Sequence, residues 1–141
     1  KAFIAAGLEG DGYANIYDVG LGWVVNNKKG DFIGKRSTER DLSIGGDRPE
    51  VVGLKIENKN LVAPKGCPIV DPNMEGAKKM EGMVTIGFFS PNLNESIALA
   101  QLKNGRARMG EQVILYTKEQ ELRATVCDPI FIDPRGERMR S

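Results

Sequence analysis

The chain has 141 residues, with 20 Lys and Arg against 19 Asp and Glu, 17 glycines, two cysteines and no histidine. That length suits compact globular material with its own apolar core, and a net charge of +1 gives no global basic footprint for nucleic acid or an anionic membrane surface. Without histidine, Ser-His-Asp and Cys-His catalysis and His-ligated zinc or haem are excluded within this chain, and general-base work falls to carboxylates or a shifted lysine.

Glycine at 17 of 141 residues, against a usual ~7%, predicts many turns rather than long helices. Cys67 and Cys127 stand in no C-x-x-C pair, so they read as buried thiols rather than a zinc or redox motif, with a disulfide between them left open. No apolar run approaches the ~18 residues needed to cross a bilayer, and no signal peptide is visible. The expected location is cytoplasmic. Lys1 leads at once into the apolar Phe3-Ile4-Ala5-Ala6, which reads as a piece cut from a longer chain.

In chain order, residues 1–30 are Gly-rich and end in a predicted short strand, Trp23-Val24-Val25, followed by a turn over 26–30. Asp31 is placed to cap a helix from about Gly34 to Leu42, with Phe32 and Ile33 anchoring its start in the core. Residues 44–49 form a break. A strand over 51–56 follows, with Val52, Leu54 and Ile56 on one face. Residues 61–66 read as a strand end and turn, and Pro68-Ile69-Val70 as a short strand whose proline suggests an edge. The longest predicted strand covers 82–89. Another covers 96–102, with Ile97, Leu99 and Gln101 on one side, and a hairpin joins 112–116 to 122–127. Pro129-Ile130-Phe131-Ile132 is a last apolar stretch. Short strands at this spacing indicate an antiparallel barrel or sandwich.

Each candidate for chemistry has a plainer reading. Gly7-Leu8-Glu9-Gly10-Asp11-Gly12 has the order G-x-x-G-x-G, with no long helix after it, and reads as a flexible turn rather than a phosphate cradle. Glu9 and Asp11 are expected to be solvated, and Asp11, Asp18 and Asp31 lack calcium-loop spacing. No metal site is expected. Gly105-Arg106-Ala107-Arg108 and the basic tail from Arg135 to Arg140 read as solvated segments, although arginine there can clamp a carboxylate or phosphate. Trp23 is expected in the core. Aromatics are 6% and are not interleaved with the basic runs, so a stacking platform for single strands has little support. The residues alone therefore describe a mostly antiparallel β unit with no self-contained catalytic set.

The order of motifs carries more. Asp18-Val19-Gly20-Leu21-Gly22-Trp23 precedes a D-F-I-G-K run at 31–35. Val52-Gly53-Leu54, Gly66-Cys67-Pro68 and Gly82-Met83-Val84-Thr85 follow. Then come S-P-x-L-x-x-S-I-A-L-A at 90–100 and D-P-I-F-I-D-P-R-G-E-R at 128–138. This series resembles the C-terminal part of the aminomethyltransferase (glycine cleavage T-protein) family, and the closing run is most similar to the alpha subunit of heterotetrameric sarcosine oxidase.

The resemblance implies a mainly-β fold: a small antiparallel β-barrel over 50–141, preceded over 1–49 by a short α+β tail of a folate-binding middle domain. It implies tetrahydrofolate as the parent enzyme's cofactor, with the folate cavity formed mainly by upstream domains and any flavin and NAD sites outside this chain. It also implies oxidative demethylation of a sarcosine-like substrate, no catalytic residue in this chain, and a flavin-bearing beta subunit as partner. Neither nucleic acid nor membrane is an expected partner. A glycine-cleavage-type domain and a non-catalytic docking barrel are the alternatives. The family's T-D-G-T-x-T-P loop is only partly kept: Asp11 and Gly12 match, and Tyr13 replaces a threonine. Tyr13, Arg135 and Arg138 are the candidate contacts at the folate edge.

Overall fold

The structure, a computed structural model, describes residues 4–10, 12–26, 28–43, 47–73 and 79–140. Asp11 and the break at 44–46 lie outside them. Six strands close into one antiparallel barrel: β1 (Pro49–Ile56), β2 (Pro68–Val70), β3 (Met80–Ser90), β4 (Glu95–Lys103), β5 (Gln112–Tyr116) and β6 (Glu121–Cys127). Their ring order is β1-β4-β3-β2-β5-β6. Because β1 pairs with both β4 and β6, the ring is closed and the sandwich alternative falls. The described residues add one helix, α1 (Lys35–Ser43), and short 3-10 turns at Gly22–Val24, Gly105–Arg108 and Glu137–Met139.

Period-two alternation fills the barrel as expected along β1, where Val52 and Leu54 are 0% and Ile56 4% exposed. The inner row of β4 is Ser96, Ala98, Ala100 and Leu102, so the larger Ile97 and Leu99, with Gln101, face outward. A six-strand barrel has little interior room, and small residues on one strand offset leucines and valines from the others. Ile69, Val84, Val113, Leu115, Leu122 and Val126 complete that packing.

The shortest strand is also the weakest seam. β2 meets β5 through only two residue pairs, Ile69 with Leu115 and Val70 with Ile114. Pro68 was expected to mark an edge, but a closed barrel has none, and the proline is accommodated at the first position of the strand. Beyond it the Cys67 thiol donates to the Tyr116 carbonyl at 2.9 Å. The preceding segment then runs along β3, with Gly66 N–H donating to Val84 O and Val84 N–H donating to Cys67 O. Further up, the Ala63 carbonyl lies where a Cβ on Gly87 would stand.

Three expectations for the first 43 residues fail. Residues 23–25 form no strand. With Gly20 at φ +79 and Gly22 pressed against the Tyr17 ring, the chain turns, and Val24 N–H donates to Leu21 O at 3.0 Å. Asp31 does not cap α1. The helix starts after Gly34 at φ +94, and the Asp31 carboxylate accepts from its neighbour Phe32 N–H at 2.9 Å. Phe32 is half-buried and Ile33 is fully exposed, so the pair does not anchor the helix in the core.

Candidate functional site

The residues ahead of the barrel are built onto its outer wall. At Thr85 a bulge shifts the β3–β4 register from Val84–Ala100 to Ile86–Leu99. The Thr85 hydroxyl sits 2.6 Å from Glu9 Oε1 and 3.1 Å from Leu99 O. Glu9 is 0% exposed: its other oxygen accepts from Ala5 N–H at 3.1 Å, and its carbonyl accepts from Gln101 Nε2 at 3.1 Å. The expected solvated carboxylate is thus a buried anchor. Burial of an acid without such partners would be costly, and these partners lie far along the chain.

A second anchor follows. The Asp18 carboxylate, 6% exposed, accepts from Arg48 Nε at 3.0 Å and Nη2 at 2.6 Å, and from Asn15 N–H at 2.8 Å. Arg48 Nη2 also donates to the Tyr13 carbonyl at 3.0 Å. Val51 N–H, at the head of β1, donates to Asp18 O at 2.8 Å. Arg106 donates to the carbonyls of Tyr17 and Asp18, and Glu50 accepts from its backbone N–H.

Arg108 is likewise no solvated residue. It makes a bidentate pair with Glu111, both bonds at 2.8 Å, and lies 2.7 Å from Glu81. This ties the Gly105–Arg108 turn to the starts of β3 and β5. The guanidinium holds the Glu111 carboxyl below its ordinary range. A depressed folded-state value stabilises the fold above the unfolded pKa, and that contribution fades as pH falls through the folded one. Acid titration of stability should therefore be steeper below about pH 4.5 in the wild-type chain than in Arg108→Ala, as read from urea midpoints at successive pH values.

Several large apolar side chains ahead of the barrel face outward. Tyr13 is 88%, Trp23 81% and Ile33 105% exposed. The expected core role of Trp23 fails, because an apolar side chain reads the same in sequence whether it meets its own core or a neighbouring body. Arg135 lies exposed in the tail, 4.0 Å from Glu137, and Arg138 is exposed within the last 3-10 turn.

Four of the clefts among the described residues flank the barrel. The most voluminous, about 530 Å³, opens beside the β2–β5 seam between residues 61–68 and the hairpin tip at 117–120. A charged cleft of about 290 Å³ surrounds Arg108. An apolar groove of about 210 Å³ runs between Ile86, Phe88 and Ile97 and the tail residues Phe131 and Ile132. The fourth, about 380 Å³, lies near Arg123 and Gln112. None of the four is lined by Tyr13, Arg135 or Arg138. A reduced folate presents a pterin hydrogen-bonding edge and an anionic tail, which call for carboxylate or amide groups and cations converging in one cavity. In the 530 Å³ cleft Lys65, Lys118, Glu119 and Gln120 accompany mainly apolar residues such as Leu61, Val62 and Leu122. Glu9, buried elsewhere, is taken by Ala5 and Thr85. None of these four clefts gathers that set among the described residues.

Cys67 and Cys127 are both free thiols, Cys67 buried and Cys127 half-buried. Burial pushes both up, Cys127 to about 11. The thiolate is the reactive form, so iodoacetamide at pH 7 should leave both unlabelled in the folded protein and label both in denaturant, as read by mass spectrometry. Among the described residues, no helix is long and apolar enough to cross a membrane, and no group of three or more His, Cys, Asp or Glu is placed to hold a metal ion.

The glycine cleavage T-protein C-terminal barrel domain family matches residues 50–133. The sarcosine oxidase alpha subunit of Corynebacterium sp. strain U-96 is 36% identical over 141 residues, 98% of this chain and 14% of that protein. The aminomethyltransferase of Herpetosiphon aurantiacus is 35% identical over 121 residues, 86% of this chain and 32% of that protein. Among solved structures, the glycine cleavage system aminomethyltransferase T of Bartonella henselae superposes with a TM-score of 0.68 at 24% identity, over 82% of this chain and 31% of that one, a likeness of fold. The chain thus spans about a seventh of the sarcosine oxidase subunit and about a third of the aminomethyltransferases it resembles.

Proposed function

Since the chain belongs to the glycine cleavage T-protein C-terminal barrel family, we propose that it is the C-terminal module of a cytoplasmic, folate-dependent one-carbon enzyme of the sarcosine oxidase alpha kind. The carrying observation is similarity to that subunit along 98% of the chain, in the segment ahead of the barrel as well as the barrel. In this reading the parent demethylates sarcosine oxidatively and passes the one-carbon unit to tetrahydrofolate. The chemistry resides in upstream domains and a flavin-bearing beta subunit. The barrel is a wall: its interior is filled by side chains, so it closes a cavity rather than containing one. Closing off water protects a reactive iminium from hydrolysis, which is the physical value of such a wall. Tyr13, Arg135 and Arg138 form its folate edge, with the arginines facing the anionic tail.

The test uses the full-length parent with its partner subunit. Sarcosine-dependent transfer of a one-carbon unit to tetrahydrofolate is expected. Activity only in a glycine-cleavage reaction would replace this reading with the aminomethyltransferase one. Arg138→Ala should weaken tetrahydrofolate binding about tenfold, ~1.4 kcal/mol, by calorimetry. Unchanged affinity would remove Arg138 from the site, and unchanged affinity for Tyr13→Ala and Arg135→Ala as well would favour the docking barrel, for which the exposed Trp23 speaks.

A further inference from the structure

Residues 4–25 precede the stretch that the barrel family matches, yet two of their charged side chains are among the most buried in the molecule. Glu9 locks onto Thr85 and Gln101 on the outer face of β3 and β4. Asp18 locks onto Arg48 at the entrance to β1, and its carbonyl takes the Val51 amide. Arg106 adds donors to two neighbouring carbonyls from the opposite side of the sequence. These contacts are short, multiple, and spread along the segment. The chain between them is different. Lys28, Lys29, Gly30 and Asp31 are all exposed, and among the described residues α1 has no extensive contact with any strand. The excursion that leaves after residue 25 returns at Arg48, which clasps the Asp18 it left behind.

We infer that residues 4–10 and 12–25 are a strap belonging to the barrel, and that the chain can be cut within the exposed stretch 28–31 without releasing the strap, the exposed stretch and α1 forming a flap. Whatever precedes the strap in a longer parent therefore meets this chain at a segment held on the barrel wall. Tolerance to a cut follows the burial and hydrogen bonding of the backbone rather than position in the chain. The inference stands apart from the proposed enzymatic role, since it concerns only how this chain is held together.

The test inserts a sequence-specific protease site between Lys29 and Gly30 of the full chain. After complete cleavage, the two pieces are expected to elute as one species in gel filtration and to separate in 6 M urea. Separation in native buffer immediately on cutting would overturn the inference. The cut protein carrying both Arg48→Met and Thr85→Val is expected to separate in native buffer. If its pieces stay together, these contacts are not what hold the strap. Amide hydrogen exchange on the uncut, unsubstituted chain gives a reading that no folding defect can blur. Val51, whose N–H serves the strap, should be protected like Val84 inside the barrel, at least a hundredfold more slowly exchanging than residues 28–31. Val51 exchanging as fast as 28–31 would refute the strap.

Discussion

Gly87→Val is expected to destabilise the chain by about 3 kcal/mol or more, at the upper end of overpacking effects. The reason is backbone against backbone. A Cβ on Gly87 would overlap the Ala63 carbonyl oxygen and stand 3.2 Å from its carbon. Ala63 is 1% exposed and belongs to the core cluster, so it cannot retreat without unplugging the end of the barrel. A side-chain obstacle would rotate away; a carbonyl fixed between Gly66, Cys67 and β3 does not. Gly30→Ala is the control. Nothing lies within 4 Å of its absent Cβ, so that substitution should be neutral or stabilising by up to about 1 kcal/mol. Urea unfolding of the two variants side by side gives the comparison, and an unchanged midpoint for Gly87→Val would show that residues 61–67 do not lie against β3 as described.

Asp18→Ala is expected to cost about 3 kcal/mol, the lower end for breaking a buried ion pair by removing one partner. The carboxylate is 6% exposed and serves Arg48 twice and Asn15 once. Its loss leaves a guanidinium that is 29% exposed, still bound to Tyr13 O and within reach of water, which is why the cost stays at the low end. Arg48→Lys should recover only part of the pair, since a lysine cannot present two parallel donors to one carboxylate. Denaturant midpoints give the energies. Faster amide exchange at Val51 would show that the loss is felt at the strap, whereas an unaltered Val51 with a lowered midpoint would place the damage elsewhere.

The barrel was readable because each strand carries its own message. Val52, Leu54 and Ile56 alternate, and the turns between strands are rich in glycine, proline and asparagine, so the local pattern and the final packing agree. β4 was readable as a strand with Ile97, Leu99 and Gln101 on one side, but not which side faces inward. Ile97 and Leu99 outweigh Ala98 and Ala100 in apolar bulk, and only the cramped interior of a closed six-strand ring makes the alanines the inner row. The strap left no local signal. Glu9 finds Thr85 across 76 positions and Asp18 finds Arg48 across 30, and no window of sequence contains both members of either pair. Asp31 shows the converse. A good capping residue stood near the helix, but Gly34 at positive φ moved the first turn beyond its reach. The proposed edge residues Tyr13, Arg135 and Arg138 came from resemblance rather than pattern.

The long reach of Glu9 also sets an order of events during synthesis. The carboxylate leaves the ribosome first, and Thr85 is made 76 residues later, about 4–15 s at ~5–20 residues per second. Gln101 is later still, and β1 waits for β6 before the ring can close. Through that interval the strap has no wall to lie on. The strap, made before the barrel, is thus among the last parts of it to be seated, and substitutions that delay closure of the ring should lengthen the time for which the nascent strap is open to proteases and chaperones.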